Sequence, residues 1–317
     1  MFTREEVRNA QHVVYAALNP TPQFQWPLLD ANMGARVWVK HENHQPVGAF
    51  KVRGGLTYMD ALTKREPHVR GVISATRGNH GQSIGFAARK HRIPVTIVVP
   101  NGNSIDKNAS MRALGVELLE LGADFQESRE HAARLAAERQ LHMIPSFHRD
   151  LVRGVMTCWI EFFEAVQPDV VFVPIGLGSG FCAAVAARTY TGVTSKLIGV
   201  VSAHAKAYQD SFKAGRKMES PVTTQLADGM ACRIPDEESL EIVLREADDV
   251  IAVTDDEVAA AMRLLFKATH NVAEGAGAAS LAGALQQRKK WQGKTVGTTL
   301  CGGNVDTDVF VKVLSGK

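Results

Sequence analysis

Residues 169–175, Asp-Val-Val-Phe-Val-Pro-Ile, restrict the fold of this 317-residue chain more than any other stretch. An almost unbroken apolar, β-branched run marks a strand buried on both faces, as strands are in parallel sheets. Gly176-Leu177-Gly178-Ser179-Gly180 follows at once, and then an alanine-rich segment that reads as helix to about residue 189. Strand, glycine turn and helix make one βα unit. The rhythm recurs. Strands are expected at 36–40, 71–74, 93–99, 116–119, 143–145, 197–202, 250–253 and 296–300. Helices are expected at 1–18, 51–62, 81–90, 107–114, 127–139, 153–165, 205–213 and 272–287. Thr254-Asp255-Asp256-Glu257 is a capping box opening one more helix. Residues 203–248 are otherwise mixed and turn-rich. The pattern predicts an α/β protein with open, mostly parallel sheets, and ligands at the carboxyl ends of the strands.

Length and composition (45% hydrophobic, 22% charged) predict two domains, or one large α/β body with a smaller lobe. A net charge of +3 from 36 basic and 33 acidic side chains, evenly scattered, argues against a nucleic-acid partner. No apolar run is long enough to cross a membrane, and the first residues, Met-Phe-Thr-Arg-Glu-Glu, do not read as a signal peptide. Four scattered cysteines show neither a CxxC pair nor metal spacing. Reduced thiols in a cytoplasmic protein, with no metal site and no membrane partner, are expected.

Several stretches carry chemistry. Lys51 stands in Gly48-Ala49-Phe50-Lys51-Val52-Arg53-Gly54-Gly55. Such a setting fits a pocket lysine whose amine is freed by desolvation for Schiff-base chemistry, and also an ordinary helix-start lysine. Ser74-Ala75-Thr76-Arg77-Gly78-Asn79-His80-Gly81 either presents N–H groups to an anion or is a helix cap made by Asn79. Gly176 to Gly180 reads as a phosphate cradle or a tight turn. It lacks the lysine of a nucleotide loop, and no acidic residue ends the next strand. Cys301 is either a weak hydrogen-bond donor to a heteroaromatic nitrogen or a small buried hydrophobe. Glu274 opens an alanine-rich helix, where a carboxylate also complements the dipole. An amine-bearing pocket, a phosphate loop without a nucleotide lysine and no metal cluster together point to pyridoxal phosphate.

In their order along the chain, the Lys51 stretch, the Ser74–His80 turn, the Gly176–Gly180 loop and Gly302-Gly303-Asn304 resemble the fold-type II pyridoxal-phosphate enzymes, specifically the serine/threonine dehydratase and serine racemase branch. The resemblance covers essentially the whole chain. It implies a two-lobed, three-layer fold like that of the tryptophan synthase β subunit. Residues 1–69 plus 147–317 would form a large cofactor-binding domain and residues 70–146 a small one. By the same resemblance, Lys51 is the lysine that bonds the cofactor and Phe50 packs on its ring. Asn79 bonds its 3′ oxygen, and Gly176, Leu177, Gly178, Ser179 and Gly180 bind its phosphate. Gly229 touches it from the opposite side, Glu274 lies near the ring edge, and Cys301 stands beside the ring nitrogen where a serine is usual. A thiol there leaves that nitrogen largely unprotonated, which favours β-elimination. Ser74, Thr76, Arg77, Gly78, Asn79 and His80 would hold the substrate, and Arg129 matches an arginine near the substrate in racemases while also fitting a surface helix position. A homodimer is expected.

The departures bear on the reaction. Arg77 occupies the position of the racemase's catalytic serine, and a guanidinium is not a neutral acid or base, so racemisation is not expected as the main activity. It is suited to pairing with a second substrate carboxylate, as in 3-hydroxyaspartate, or else points outward. Val201 and Ala207 stand roughly where the racemase group has divalent-cation ligands, so that site is not expected. The chain ends soon after Asn304, so no regulatory domain is expected. The predicted activity converts an L-β-hydroxy-α-amino acid of threonine or serine type to a 2-oxo acid and ammonia. A 3-hydroxyaspartate or bulkier β-hydroxy acid is the alternative, and racemase or β-replacement activity is less favoured.

Overall fold

The computed structural model describes residues 2–316; Met1 and Lys317, which the expected first helix and domain ends include, lie outside the described residues. In chain order the elements are α1 (Arg4–Tyr15), β1 (Gln23–Gln25), α2 (Pro27–Met33), β2 (Arg36–His41), α3 (Lys51–Arg65), β3 (Val72–Ala75), α4 (Asn79–His91) and β4 (Val95–Val99). Then come α5 (Ile105–Ala113), β5 (Glu117–Glu120), α6 (Phe125–Arg139), β6 (His142–Met143), α7 (Arg149–Ala165), β7 (Val170–Pro174), α8 (Ser179–Thr191) and β8 (Lys196–Ser202). The last are α9 (Ala207–Ala214), α10 (Glu237–Glu246), β9 (Asp249–Val253), α11 (Asp255–Thr269), α12 (Gly275–Gln286), β10 (Thr295–Leu300) and α13 (Thr307–Ser315).

The strands form two sheets. One has six strands in the order β1-β2-β10-β7-β8-β9, the other four in the order β5-β4-β3-β6. Every pairing is parallel except β1 with β2. β7 is fully buried from Val170 to Val173 at the centre of the larger sheet, as its sequence requires. One face of that sheet packs on α7, α8 and α10, the other on α2, α11 and α12. The capping box at Thr254 opens α11 as expected, its hydroxyl accepting from Glu257 N. The sequence reading missed β1, α2 and α13. β1 is three residues long and α2 seven, too short to show a period, and α2 starts with proline at its first position instead of a side-chain cap.

α3 positions its first residue, Lys51, through its crossing with α7. At Gly54 a β-carbon would lie 2.7 Å from Leu151 O, and at Gly154 it would strike the Arg53 carbonyl, so only glycines permit this approach. Beside the crossing lies a buried ionic cluster. Arg53 donates Nε to Glu42 Oε2 (2.8 Å), Nη1 to Glu161 Oε1 (2.6 Å) and Nη1 to Thr157 Oγ1 (3.0 Å). Lys40 donates to Glu161 Oε2 (2.6 Å) and to Thr21 O (2.7 Å). Two cations and two carboxylates balance, tying β2, α3 and α7 together. Burial opposes the charge of Glu161, but Arg53 and Lys40 outweigh it and lower its pKa.

Removing one partner strands the other charges, so Glu161→Ala should cost about 3–5 kcal/mol in equilibrium unfolding. Because the native pKa of Glu161 is lowered, its contribution is complete above the ordinary glutamate value, about 4.3, and is lost as pH falls through the native value. Glu161→Gln should therefore flatten the acid limb of the stability–pH curve; an unchanged limb would show that other carboxylates carry it.

Candidate active site

Four strand ends converge on one cleft. β2 leads through a 3-10 turn (Glu42–His44) towards Phe50, whose N–H donates to Cys301 O (3.0 Å) just past β10. Ala49 bridges to Gly302, so Lys51 starts α3 beside the end of β10. β7 runs into Ile175 and the glycine loop, and β3 into the turn at Thr76. The cleft is lined by Phe50, Lys51, Asn79, Gly176, Leu177, Gly178, Ser179, Gly180, Gly229, Glu274 and Cys301. The whole set named from sequence as contacting a cofactor thus lines a single cavity.

The Lys51 ammonium lies 5.0 Å from the centroid of the Phe50 ring. Burial lowers its pKa, opposed by Cys301 and Glu274, which shifts the balance toward the amine. The buried Cys301 thiol is pushed up by burial and by Glu274, and stays protonated. Opposite stands the N-terminus of α8. Gly178 precedes the helix at φ 95° without a side-chain cap, and Cys182 N–H is the first amide bonded within the helix, to Gly178 O (2.9 Å). The preceding amides are left for an anion. A β-carbon at Gly176 would strike Gly229 O, and one at Gly178 would sit 2.7 Å from Ser239 Cβ.

Asn79 is fixed from both sides. Its Nδ2 donates to Glu274 Oε1 (2.6 Å), and its Oδ1 accepts from Asn304 Nδ2 (2.8 Å). The amide's second hydrogen is left to face the cavity. Glu274 is buried and meets Lys107 at 3.3 Å; Lys107 also bonds Asp228 Oδ2 (2.8 Å). Lys107 and Asp228 escaped the sequence reading. Lys107 sits in a polar stretch, Asn-Gly-Asn-Ser-Ile-Asp-Lys, that looks solvent-facing, and nothing local signals its burial.

The expected substrate residues separate. Thr76 Oγ1 accepts from Gly78 N (3.0 Å), which shapes the turn and leaves the hydroxyl hydrogen free. His80 is buried and donates to the Pro145 carbonyl; burial, with Lys51 nearby, lowers its pKa to about 3, so it is neutral and its Nε2 has no partner. Arg77 is half-buried, with its Nε buried and unpartnered. Ser74 is turned away from the cleft: its hydroxyl donates to Ile144 O (2.8 Å), because residue 74 of β3 faces β6 and the interior. Arg129 is exposed on α6 and outside the cavity lining. Its neighbour Ser128 takes the inward position and bonds Leu121 O and Asp124 O (both 2.8 Å), and one helical step of about 100° puts Arg129 outside.

These donors fit pyridoxal phosphate. The α8 amides and the glycine cradle suit its phosphate, the spare Asn79 hydrogen its ring hydroxyl, and Lys51 its aldehyde carbon. Comparison with known proteins agrees. The profile of the family described as pyridoxal-phosphate dependent enzyme matches residues 14–302. The L-threo-3-hydroxyaspartate ammonia-lyase of Saccharomyces cerevisiae is 32% identical over 99% of this chain and 97% of its own length. The L-threonine ammonia-lyase of Thermotoga maritima is 30% identical over 99% of this chain and 79% of its own length. The processed form of threonine deaminase isoform 2 from Solanum lycopersicum superposes with a TM-score of 0.88 at 25% identity, covering 99% of this chain and 94% of that one. The chain belongs to the pyridoxal-phosphate-dependent enzyme family. Within it, this is a fold-type II lyase of the ammonia-lyase (dehydratase) kind.

Gly178→Ala forces alanine into a left-handed conformation and against Ser239, a strain of about 1–3 kcal/mol. The variant should lose most of its cofactor on dialysis while wild type keeps it, as read by visible absorbance per mole of protein.

Proposed function

We propose that the substrate is an L-β-hydroxy-α-amino acid carrying a second carboxylate, of the 3-hydroxyaspartate type, converted to a 2-oxo acid and ammonia. The observation that carries this reading is Arg77, whose buried Nε lacks a partner in the turn leading to Asn79. Arg77 is not itself in the cavity lining but stands two residues before Asn79, which is, and a guanidinium with an unused donor suits a carboxylate better than the methyl or hydrogen of threonine or serine. A relative of matching length, named for 3-hydroxyaspartate, supports it.

When bound, the cofactor supplies an electron sink for the bond broken at the α-carbon. The chain's own residues do the rest. Lys51, whose burial favours the amine, would accept the α-proton at Nζ. The α8 amides and glycine cradle fix the phosphate, and Asn79 and Phe50 fix the ring, so Lys51 meets one face of the α-carbon. The neutral Cys301 puts no anion beside the ring nitrogen, which favours loss of the β-hydroxyl over prolonged carbanion delocalisation. The Thr76–Asn79 turn receives the α-carboxylate, and Arg77 the second one.

We further propose a cytoplasmic homodimer in which residues 70–146 form the small domain. Four free, buried cysteines support a reducing compartment, and among the described residues no helix is long and apolar enough to cross a membrane. Exposed Phe24 and Leu28 at the β1 edge of the larger sheet supply an apolar surface for a second copy.

Lys51→Ala should lose the visible band of the lysine-bonded cofactor and at least about 10²-fold in turnover. With a panel of β-hydroxy amino acids assayed for 2-oxo acid and ammonia, Arg77→Ala should lower kcat/KM for 3-hydroxyaspartate by about 10- to 100-fold and leave serine and threonine nearly unchanged. Uniform loss across the panel, or none, would return the assignment to threonine and serine.

A further inference from the structure

Two acidic residues of the larger-sheet unit begin helices without capping them. Glu274 is the N-cap of α12 and Asp306 the N-cap of α13, yet neither carboxylate bonds its own helix. Both reach across the cleft to the unit built on the four-stranded sheet. Asp306 accepts from Ser104 Oγ and from the amides of Ile105 (3.3 Å) and Asp106 (3.2 Å), the first turn of α5. Asp106 returns the contact, accepting from Thr307 N (3.1 Å) and Thr307 Oγ1 (3.3 Å) at the start of α13. The two helix starts are thus cross-bonded, each donating to an aspartate of the other, while Ser104 caps α5 by accepting from Lys107 N (3.1 Å). Glu274 accepts from Asn79 and pairs with Lys107, the third residue of α5.

Lys107 follows from this docking. Its stem lies against Gly78, where a β-carbon would come within 3.0 Å of Lys107 Cβ and Cγ, and its ammonium is buried between Glu274 and Asp228. Burial opposes its charge, but Glu274 and Asp228 outweigh that and raise its pKa, so it is held as a cation. Burial pushes Glu274 up, and Lys107 is the largest influence pulling it back. Without the ammonium, burial would favour neutral Glu274, and the bond it accepts from Asn79 would lose its charge assistance.

We propose that Lys107 is a positioning residue for the cofactor: held by the cross-bonded starts of α5 and α13, it fixes the Glu274 carboxylate that orients Asn79 toward the cofactor ring. Docking of the four-stranded unit and readiness of the ring site are then one event. The inference rests on the pyridoxal-phosphate site described above.

The test compares Lys107→Met, Lys107→Arg, Glu274→Gln and the Lys107→Met/Glu274→Gln double variant with wild type. Cofactor dissociation constants and the visible band are measured for the reconstituted proteins, and hydrogen exchange of α5 for the cofactor-free ones. Lys107→Met should raise the dissociation constant about tenfold or more, shift the band and speed exchange at 105–113. Lys107→Arg should restore most of the affinity and the wild-type band. In the Glu274→Gln background, Lys107→Met should add less than about twofold. The inference is overturned if Lys107→Met lowers only the melting temperature and leaves affinity and band unchanged, or if the two substitutions are fully additive. A wild type that binds no pyridoxal phosphate overturns the cofactor reading as well, an outcome separate from those two.

Discussion

The cleft depends on the buried pairing of Arg53 with Glu42 and Glu161. Lys51 acts from the first turn of a helix, where fraying would ordinarily leave it mobile. Two residues on, Arg53 is bonded to one carboxylate from the end of β2 and another from α7, and Lys40 shares the second. A cluster this dry adds little to net stability over a well-packed apolar core. What it contributes is a fixed register between helix and sheet, because no sliding of α3 satisfies both carboxylates. The Gly54–Gly154 contact closes the remaining freedom by setting the distance to α7.

With α3 fixed, the chemistry follows from where charge is absent. The cleft offers Lys51 no close carboxylate bond, so burial governs its pKa and favours the amine. It places a thiol, not an acid, past β10. Phosphate affinity comes from helix amides and so adds no titrating group beside the lysine. At the ring side Lys107 lies between two carboxylates, Glu274 and Asp228, and the Glu274 charge partly opposes the effect of burial on Lys51. Burial of Lys51, which favours its amine, is what suits that nitrogen to take a proton in the proposed reaction.

Much of this was legible in the sequence because it is written locally. β7 and its glycine loop, the Lys51 stretch and the Ser74–His80 turn each combine an element end with a residue type that has few other uses there. Long periodic helices such as α6 and α7 were visible, and so was the capping box of α11. What stayed hidden is non-local. Ser74 and Arg129 carry suitable groups, yet which way they face is decided by β6 and by the rotation of α6. Lys107 and Asp228 lie 121 residues apart, and Asp106 and Asp306 meet only because two sheets dock; each reads in sequence as an ordinary surface charge. Short pieces such as β1 and α2 have too few residues to express a period.

The same distinction bears on how the fold acquires specificity. Of the residues proposed to bond the cofactor, Lys51, the glycine loop, Glu274 and Cys301 sit at strand ends and helix starts of the larger sheet, while Asn79 comes from the smaller one. Arg77 also belongs to the smaller sheet, in a turn whose shape is set by the Thr76 hydroxyl and by Gly78 beneath the stem of Lys107. On the reading proposed above, the guanidinium there meets the second carboxylate of the substrate. On that reading, changing Arg77 alters what is recognised on the substrate while Lys51 and the α8 amides stay in place. Because the turn is braced by Lys107, whose ammonium is anchored on Glu274 and Asp228, substrate reading and ring orientation share one mechanical support. Specificity can vary at Arg77, but it remains coupled to closure across the cleft.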